Sequence, residues 1–557
     1  MNTKRKDWQW HFNRSRRGLG ILLLAILLGT FLVACTSAEE TVPTPLPEAE
    51  EAEADEAAAP ETDETAAETE TEEDGEPRIL RMRIYGDIQN LDPAHRISQN
   101  DEVVINAVAD GLVRYGPNSY ERINQVVESI EQSEDGLEVT FKLKEGIQFH
   151  RGYGELTTED VKFSFERFLD PDLDAAYADD FATLDHVEII DKYNGKLVFS
   201  EPFAPLWNTT LPIASGAILS KAFVEEVGAD ALATDLVGTG PYVLADWEPE
   251  QRVLLTRNED YHGEAPYWDE IHLLPISDDT AAEVALEAGE LDFGLISVPG
   301  IERFTENPDF EMLITPALRY NWIGMNVEHP KLEDKRVREA IRYALDVPGM
   351  LEAAYAGYAE RENALIPPDL VGYWEEAPAY ERDVERARDL LAEAGAEGLE
   401  LRIDLEDITR DRLWAEIAAE NLKEVGFNVE LNPMDSSTYW TASFGEQSVN
   451  NELFTSSYSM QPDPAWATMW FTCDQINVWN AMRWCNEEYD ELHMQAMTTM
   501  DPDERHDLYI QMQQMWDEAA HTVWLTHGVR PYAYSPDIVP ALTPHGFPQP
   551  QWFEPAQ

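Results

Sequence analysis

The sequence predicts a folded part holding both strands and helices, set behind a secretory leader and an unstructured acidic linker. Three observations carry this expectation. From Arg78 onward the composition turns globular, in a chain that is 43% hydrophobic and 10% aromatic overall. Within that part, segments with the two-residue period of half-buried strands occur together with segments at helical spacing. Finally, 557 residues give room for several core-sized units or for two large lobes.

The elements follow in chain order. Residues 1–17 are basic (Lys4, Arg5, Lys6, Arg14, Arg16, Arg17), and an apolar run extends from Leu19 to Ala34. That run has the length of a secretory h-region and is short for a membrane span. It ends Leu32-Val33-Ala34-Cys35. The tetrad resembles the bacterial lipobox, which implies a signal peptide over 1–35, cleavage before Cys35 and a lipid on its thiol. The mature chain is then tethered to the cell membrane, facing the periplasm or the exterior. An uncleaved signal anchor is the alternative, and Arg16-Arg17 leaves twin-arginine export open. Residues 36–77 follow as a low-complexity stretch of Glu, Ala, Thr and Pro with 17 acidic residues and no Lys, Arg or aromatic. Such a segment cannot bury enough apolar surface to fold. As a coil it reaches roughly 35 Å, a stalk that lifts a domain off a membrane.

The net charge of −68 is spread along the chain; with the basic leader (+5) and the linker (−17) set aside, −56 remains on the folded part. Nucleic acid phosphates would be repelled by such a surface. A solvated acidic surface, tuned for salt, or a cationic ligand fits it.

Beyond Arg78, Ile79–Tyr85 alternates as a strand, Asn90–Ala94 is a turn and Glu102–Gly111 is helical with Gly111 as its C-cap. Leu137, Val139, Phe141 and Leu143 alternate between the turns at Asp135-Gly136 and Lys144-Glu145-Gly146, and Ile147 and Phe149 resume a strand. Thr157 with Asp160 three residues later opens a helix as a capping box, with Val161, Phe165 and Phe168 on its apolar face. Far downstream, Tyr458–Cys485 gathers an Asp-Pro turn (Asp463, Pro464), two cysteines and Trp466, Trp470, Trp479 and Trp484, with Trp440 just upstream. Large aromatics beside a fixed loop suit either a binding wall or a core. In an oxidising compartment Cys473 and Cys485 can persist as a disulfide.

Catalytic signatures do not appear. The sequence contains no H-E-x-x-H, G-x-S-x-G, Walker A or G-x-G-x-x-G pattern, and Gly238-x-Gly240 runs into Pro241 as a turn. The histidines are scattered, and His521 and His527 have poor metal spacing. No enzyme activity, metal or cofactor is expected.

The run Asp135–Arg167, DGLEVTFKLKEGIQFHRGYGELTTEDVKFSFER, resembles the hallmark stretch of the bacterial extracellular solute-binding proteins of family 5, the dipeptide, oligopeptide and nickel receptors of ABC importers. Val237–Tyr242 resembles the family's GTGPY turn, and Arg257–Leu273, Leu286–Asp292, Asn321–Asp346, Glu385–Leu401, Ala419–Leu431 and Glu504–His527 follow in the family's order. The resemblance covers nearly all of 78–545. It implies a type II periplasmic-binding-protein-like fold of the large cluster C kind: two α/β lobes, two hinge crossings and an interlobe cleft. Lobe one is placed at 78–316 with a return at 526–557, and lobe two at 317–525.

The resemblance also implies where a ligand is held: by the lobe-two loops Asp407–Arg412 and Tyr458–Trp466. Arg410 lies in the loop where dipeptide receptors carry a carboxylate-binding arginine. Met460 or Gln461 stands where peptide receptors carry an aspartate for the peptide α-amine, a departure from the pattern. Asp463 is its possible substitute or a structural residue. Trp440, Tyr458 and Trp466 are expected to form an aromatic wall, and the pattern around Cys473 and Cys485 resembles that of the dipeptide-receptor disulfide. The resulting expectation is a monomeric, lipid-anchored receptor that captures di- or oligopeptides and hands them to a permease driven by its ATPase subunits. A receptor for oligosaccharide or another organic solute is the alternative in the same fold. A lipid-anchored peptidase or chaperone-like surface protein is the alternative of another class.

Overall fold

In a computed structural model, residues 76–556 are described. The expected signal peptide, the Cys35 anchor and all of the acidic linker but its last two residues lie outside them. Two large mixed sheets organise the rest. The first has seven strands in the order Glu311–Pro316, Val529–Tyr534, Phe293–Leu295, Ile79–Ile84, Glu270–Pro275, Arg252–Arg257, Tyr242–Glu248. Ile79–Ile84 pairs in parallel with both of its neighbours and the remaining pairs are antiparallel. The second has five strands: Asn428–Met434, Glu400–Glu406, Leu453–Ser459, Arg319–Met325, Thr522–Thr526. A four-stranded antiparallel sheet holds Glu138–Leu143 between Val127–Gln132 and Asn194–Phe199, with Leu184–Ile189 outermost. No helix among the described residues is long and apolar enough to cross a membrane.

The chain leaves the seven-stranded sheet at Pro316 and enters the five-stranded one at Arg319; it returns between Thr526 and Val529. The two crossings run side by side. Ala317 N donates to Gly528 O (3.1 Å), Asn321 Nδ2 to Thr526 O (2.8 Å) and His527 Nδ1 to Arg319 O (3.0 Å). Gly528 sits at φ +77°, where a Cβ is strained.

Strand period explains how one strand serves two cores. Along Arg319–Met325, Tyr320 and Trp322 point to one face, into an aromatic cluster with Tyr458, Phe471, Trp516 and Trp524. Ile323 and Met325 point to the other, into an aliphatic core with Ile403, Leu405 and Trp414. Burying a side chain of this size stabilises by about 1.5–3 kcal/mol, so the strand is anchored from both sides.

The helix at Thr158–Glu166 begins as the sequence predicts: Thr157 N donates to Asp160 Oδ2 at 2.9 Å within a capping box. The first helix differs. It spans Gln99–Val108, begins at its own capping box of Ser98 and Asp101, and ends before Ala109 in extended backbone. Gly111 is therefore no C-cap; it bridges Ala217, and a Cβ there would lie 2.7 Å from Gly216 O. Ile147–Phe149 forms no ladder beyond an isolated bridge of Gln148 with Glu155, because the chain turns into a 3-10 segment at His150. Gly238 and Gly240 pack on the backbone at the end of that first helix, where a Cβ would meet Val108 O at 2.3 and 2.7 Å. The turn thus needs glycine for close approach rather than for phosphate binding.

Candidate functional site

The strand Leu453–Ser459 ends at the start of the aromatic stretch, and Met460 N donates to Leu318 O (3.0 Å), pinning the next residues beside the first crossing. Met460 itself is buried in the aromatic core. Gln461 and Pro462 instead line a cavity of about 60 Å³. Leu318 lines the same side. The facing wall comes from both ends of the described chain, including Gln99, Glu102, Arg114, Tyr115, His545 and Phe547. Its lining combines apolar surface with a few polar groups, as ligand sites do.

Asp463 is fully buried and its oxygens are occupied by the chain's own donors. Arg505 Nη1 and Nη2 donate to Oδ2 and Oδ1 at 2.6 Å each, Asn208 Nδ2 to Oδ2 at 3.0 Å, and Ala465 N to Oδ1 at 3.0 Å. Burial pushes the carboxyl up, but the charge and hydrogen bonds of Arg505, with Ala465 N and Asn208, hold it below the usual carboxylate range. Asn208 lies in the helical turn Leu206–Thr210, 255 residues away in the chain, so the carboxylate also ties two distant segments together. A second tie is a backbone bond, Ala204 N to Met497 O at 2.9 Å.

The aromatic residues occupy different depths. Tyr458 is 8% exposed, donates its hydroxyl to Trp479 O (2.7 Å), and lies nearly parallel to Phe471 at 6.0 Å. Trp440 stacks on Phe444 at 4.8 Å and lies 6.2 Å from Tyr458. Trp466 is half-buried, 5.9 Å from Trp470 and 6.2 Å from Tyr177. Trp470, itself 6.5 Å from Tyr458, joins the series.

Cys473 and Cys485 form a disulfide with Cα atoms 4.6 Å apart. The loop it closes is organised from inside by Asn480, whose Nδ2 reaches Phe471 O (3.0 Å), Thr472 O (3.3 Å) and Trp484 O (2.8 Å).

Arg410 begins the helix Thr409–Val425. Its Nε donates to Asp411 Oδ1 (2.8 Å), its Nη2 lies 3.4 Å from Ser457 Oγ, and its guanidinium covers Trp414 at 4.8 Å. Arg319 approaches the same Ser457 Oγ at 3.5 Å. Arg505, Asn208 and Arg319 carry no local sequence signal for these roles, since each partner lies far away in the chain. No group of three or more His, Cys, Asp or Glu among the described residues could hold a metal ion. His493 and His527 are pushed down to about 4, and His545 to about 3, by burial, which keeps all three neutral.

A model of the bacterial extracellular solute-binding proteins, family 5 Middle, matches residues 121–477. Among curated proteins, the chain is similar to the glutathione-binding protein GsiB of Escherichia coli, 26% identical over 450 residues that cover 79% of this chain and 87% of that protein. Among solved structures, HbpA2 from Haemophilus parasuis superposes with a TM-score of 0.76 at 24% identity, covering 86% of this chain and 100% of that one. The periplasmic binding protein DppA from Helicobacter pylori, in complex with the peptide STSA, superposes with a TM-score of 0.69 at 24% identity, covering 83% and 94%.

Proposed function

This chain belongs to the bacterial extracellular solute-binding proteins of family 5, and from that membership we propose that it captures peptides in the cavity beside Gln461 and delivers them to the permease of an ABC importer. It is a two-lobed substrate-binding protein of an ABC transporter, and a binding protein rather than an enzyme. The observation that carries the reading is the position of the cavity, lined by Gln461 and Leu318 from one sheet's side and by Gln99, Tyr115 and Phe547 from the other. A ligand touching both sides would favour their approach, the event a transporter can sense. The peptide held by DppA and the glutathione of GsiB support a peptide-like ligand. The further proposals are that lobe one is 78–316 with 526–557, that lobe two is 317–525, that Cys35 carries the lipid, and that the receptor works as a monomer.

Within this reading Gln461, Trp466 and Arg410 are the proposed ligand contacts. Tyr458, Met460 and Trp440 shape the wall from behind, and Asp463 acts through Arg505 and Asn208. One observation favours the second reading, an oligosaccharide or other organic solute: the Asp463 carboxylate is saturated, so it offers no free partner to a peptide α-ammonium. Native mass spectrometry of the full chain, purified in detergent, separates the two. A ladder of co-purified peptide masses supports capture of peptides. A hexose-spaced mass, or binding only after sugars are added, replaces that reading with the second.

A further inference from the structure

Resting on the reading of the cavity as the solute site, we propose that Gln551 and Gln549, with Asn106, form an uncharged subsite that takes a neutral carboxamide of the solute. Five primary amides line the cavity: Gln99, Asn106, Gln461, Gln549 and Gln551. Helical period explains two of them. Gln99, Glu102, Val103 and Asn106 share one face of the helix Gln99–Val108, and that face borders the cavity. The C-terminal segment supplies two more. Its backbone is fixed by Gln549 N to Ala541 O (2.9 Å) and Trp552 N to Gln549 O (2.9 Å), and the 3-10 turn Pro550–Trp552 carries Gln551.

Gln513 and Gln125 show how this chain satisfies a buried glutamine that serves structure. Gln513 Nε2 donates to Gly372 O (2.7 Å) and its Oε1 accepts from Ile366 N (3.2 Å). Gln125 Nε2 donates to Asp110 Oδ1 (2.8 Å) and its Oε1 accepts from Gly111 N (2.8 Å). Gln551 is as buried, at 6% exposure, yet neither its Nε2 nor its Oε1 has a hydrogen-bond partner in the chain. Among the described residues it is the one buried glutamine unpartnered at both atoms. Gln549 Oε1 is unpartnered too, and its Nε2 makes one long contact with Tyr115 O at 3.4 Å. Asn106 Oδ1 adds a further free acceptor and Arg114 Nε a further free donor. Burying polar groups without partners is unfavourable, so a solute that supplies the partners is favoured.

The charges on the lining are already engaged. Glu102 Oε1 accepts from Arg96 Nε at 2.8 Å, and Arg114 spends Nη1 and Nη2 on the carbonyls of Asn106 and Ala109. His545 bonds the Tyr120 hydroxyl (3.0 Å) and stays neutral, because burial pushes it down to about 3. An entering carboxylate would meet the side-chain oxygens of Gln549 and Asn106. An ammonium would leave Gln551 Nε2 and Arg114 Nε without acceptors. A carboxamide answers both needs. Its C=O accepts from Gln551 Nε2 while one N–H donates to Gln551 Oε1, a reciprocal pair that works whichever way the Gln551 amide is turned. Its second N–H has Gln549 Oε1 and Asn106 Oδ1 on the same lining. A cavity of about 60 Å³ suits one such group rather than a whole solute. The side chain of an Asn or Gln in a peptide carries the group required.

The test uses the full chain in detergent. Propionamide, propionate and methyl propionate are titrated by saturation-transfer NMR against the wild type, Gln551→Met, Gln549→Met and, as a control, Arg386→Gln on an exposed helix face. The expected result is saturable propionamide binding by wild type and Arg386→Gln, with propionate and methyl propionate weaker by about tenfold or more. Gln551→Met should weaken propionamide by about tenfold or more, and Gln549→Met by about threefold. Because Gln551→Met deletes two unpartnered atoms, it should melt no lower than wild type. A Tm lowered by about 3 °C or more gives Gln551 a structural role and overturns the subsite. So does the absence of a saturable response in the wild type, an equal response in wild type and Gln551→Met, or propionate binding as tightly as propionamide. A degenerate tetrapeptide library, read by native mass spectrometry, tests the peptide reading separately. Bound peptides enriched in Asn or Gln with the wild type, and not with Gln551→Met, support both. Propionamide binding that depends on Gln551, with no peptide bound, keeps the subsite and removes the peptide reading. Bound peptides without any Gln551-dependent propionamide response keep the peptide reading and overturn the subsite.

Discussion

Replacing Asp463 by Asn removes one half of a buried ion pair and leaves the other behind. Arg505 then keeps a full charge in a site where both of its end nitrogens had faced carboxylate oxygens at 2.6 Å. Breaking such a pair from one side costs about 3–5 kcal/mol, because the remaining charge has lost its compensation. The unfolding entropy of a body of roughly 480 residues is on the order of 1 kcal/mol per kelvin, so Tm is expected to fall by about 3–5 °C. Joint replacement, Asp463→Leu with Arg505→Met, removes both charges and should recover much of that loss. The pH dependence has a definite sign. The folded carboxyl lies below its ordinary value, so the pair's stabilisation is present above about pH 4 and is lost as pH falls through the lowered value. Calorimetry of the two variants at pH 7 and at pH 3 checks this. A Tm loss under 1 °C for Asp463→Asn at pH 7, or a double variant no more stable than the single one, would refute the account of Asp463 as an internal tie.

Three further outcomes are expected. Replacing Cys473 and Cys485 by Ser opens a short loop and should lower stability by roughly 3 kcal/mol, read from urea unfolding; an unchanged midpoint would mean that Asn480 alone holds the loop. Glu362 is pushed up to about 7, first by burial and then by Glu360, so its charged form destabilises the fold as pH rises from about 4.5 to about 7. Glu362→Gln should therefore raise Tm at pH 8 and leave it nearly unchanged at pH 4, with the difference vanishing if the carboxyl is solvated. Gly238→Ala would place a Cβ 2.3 Å from Val108 O and 2.5 Å from Ala109 Cα, and since both are backbone the variant should lose at least about 3 kcal/mol or express poorly.

Local chemistry was legible in the sequence, and distant pairing was not. The capping box of Thr157 and Asp160 is written within three residues, and the structure has it. The C-cap expected at Gly111 fails because glycine has two uses, and here contact with Gly216, far along the chain, decides between them. Tyr458 shows the limit for aromatics: clustering in sequence does not distinguish a wall from a core, and only the strand's alternation places its ring among Tyr320, Trp322 and Phe471. The family and two-lobed fold were readable because many weak motifs occur in one order. The Asp463–Arg505 pair, 42 residues apart, and the approach of Arg319 to Ser457, 138 apart, follow from tertiary packing that no window of sequence contains.

The paired crossings between the sheets have a mechanical consequence. Two separate tethers would let the lobes twist, slide and hinge with similar ease. Here the segments are stitched together by Ala317 with Gly528, Asn321 with Thr526 and His527 with Arg319. A stitched pair behaves as one flat ribbon, compliant to bending across its thin dimension and stiff to shear in its plane. Slippage of one segment past the other would break all three bonds at once, whereas bending keeps them. The three bonds therefore oppose shear of the paired segments more than bending across them.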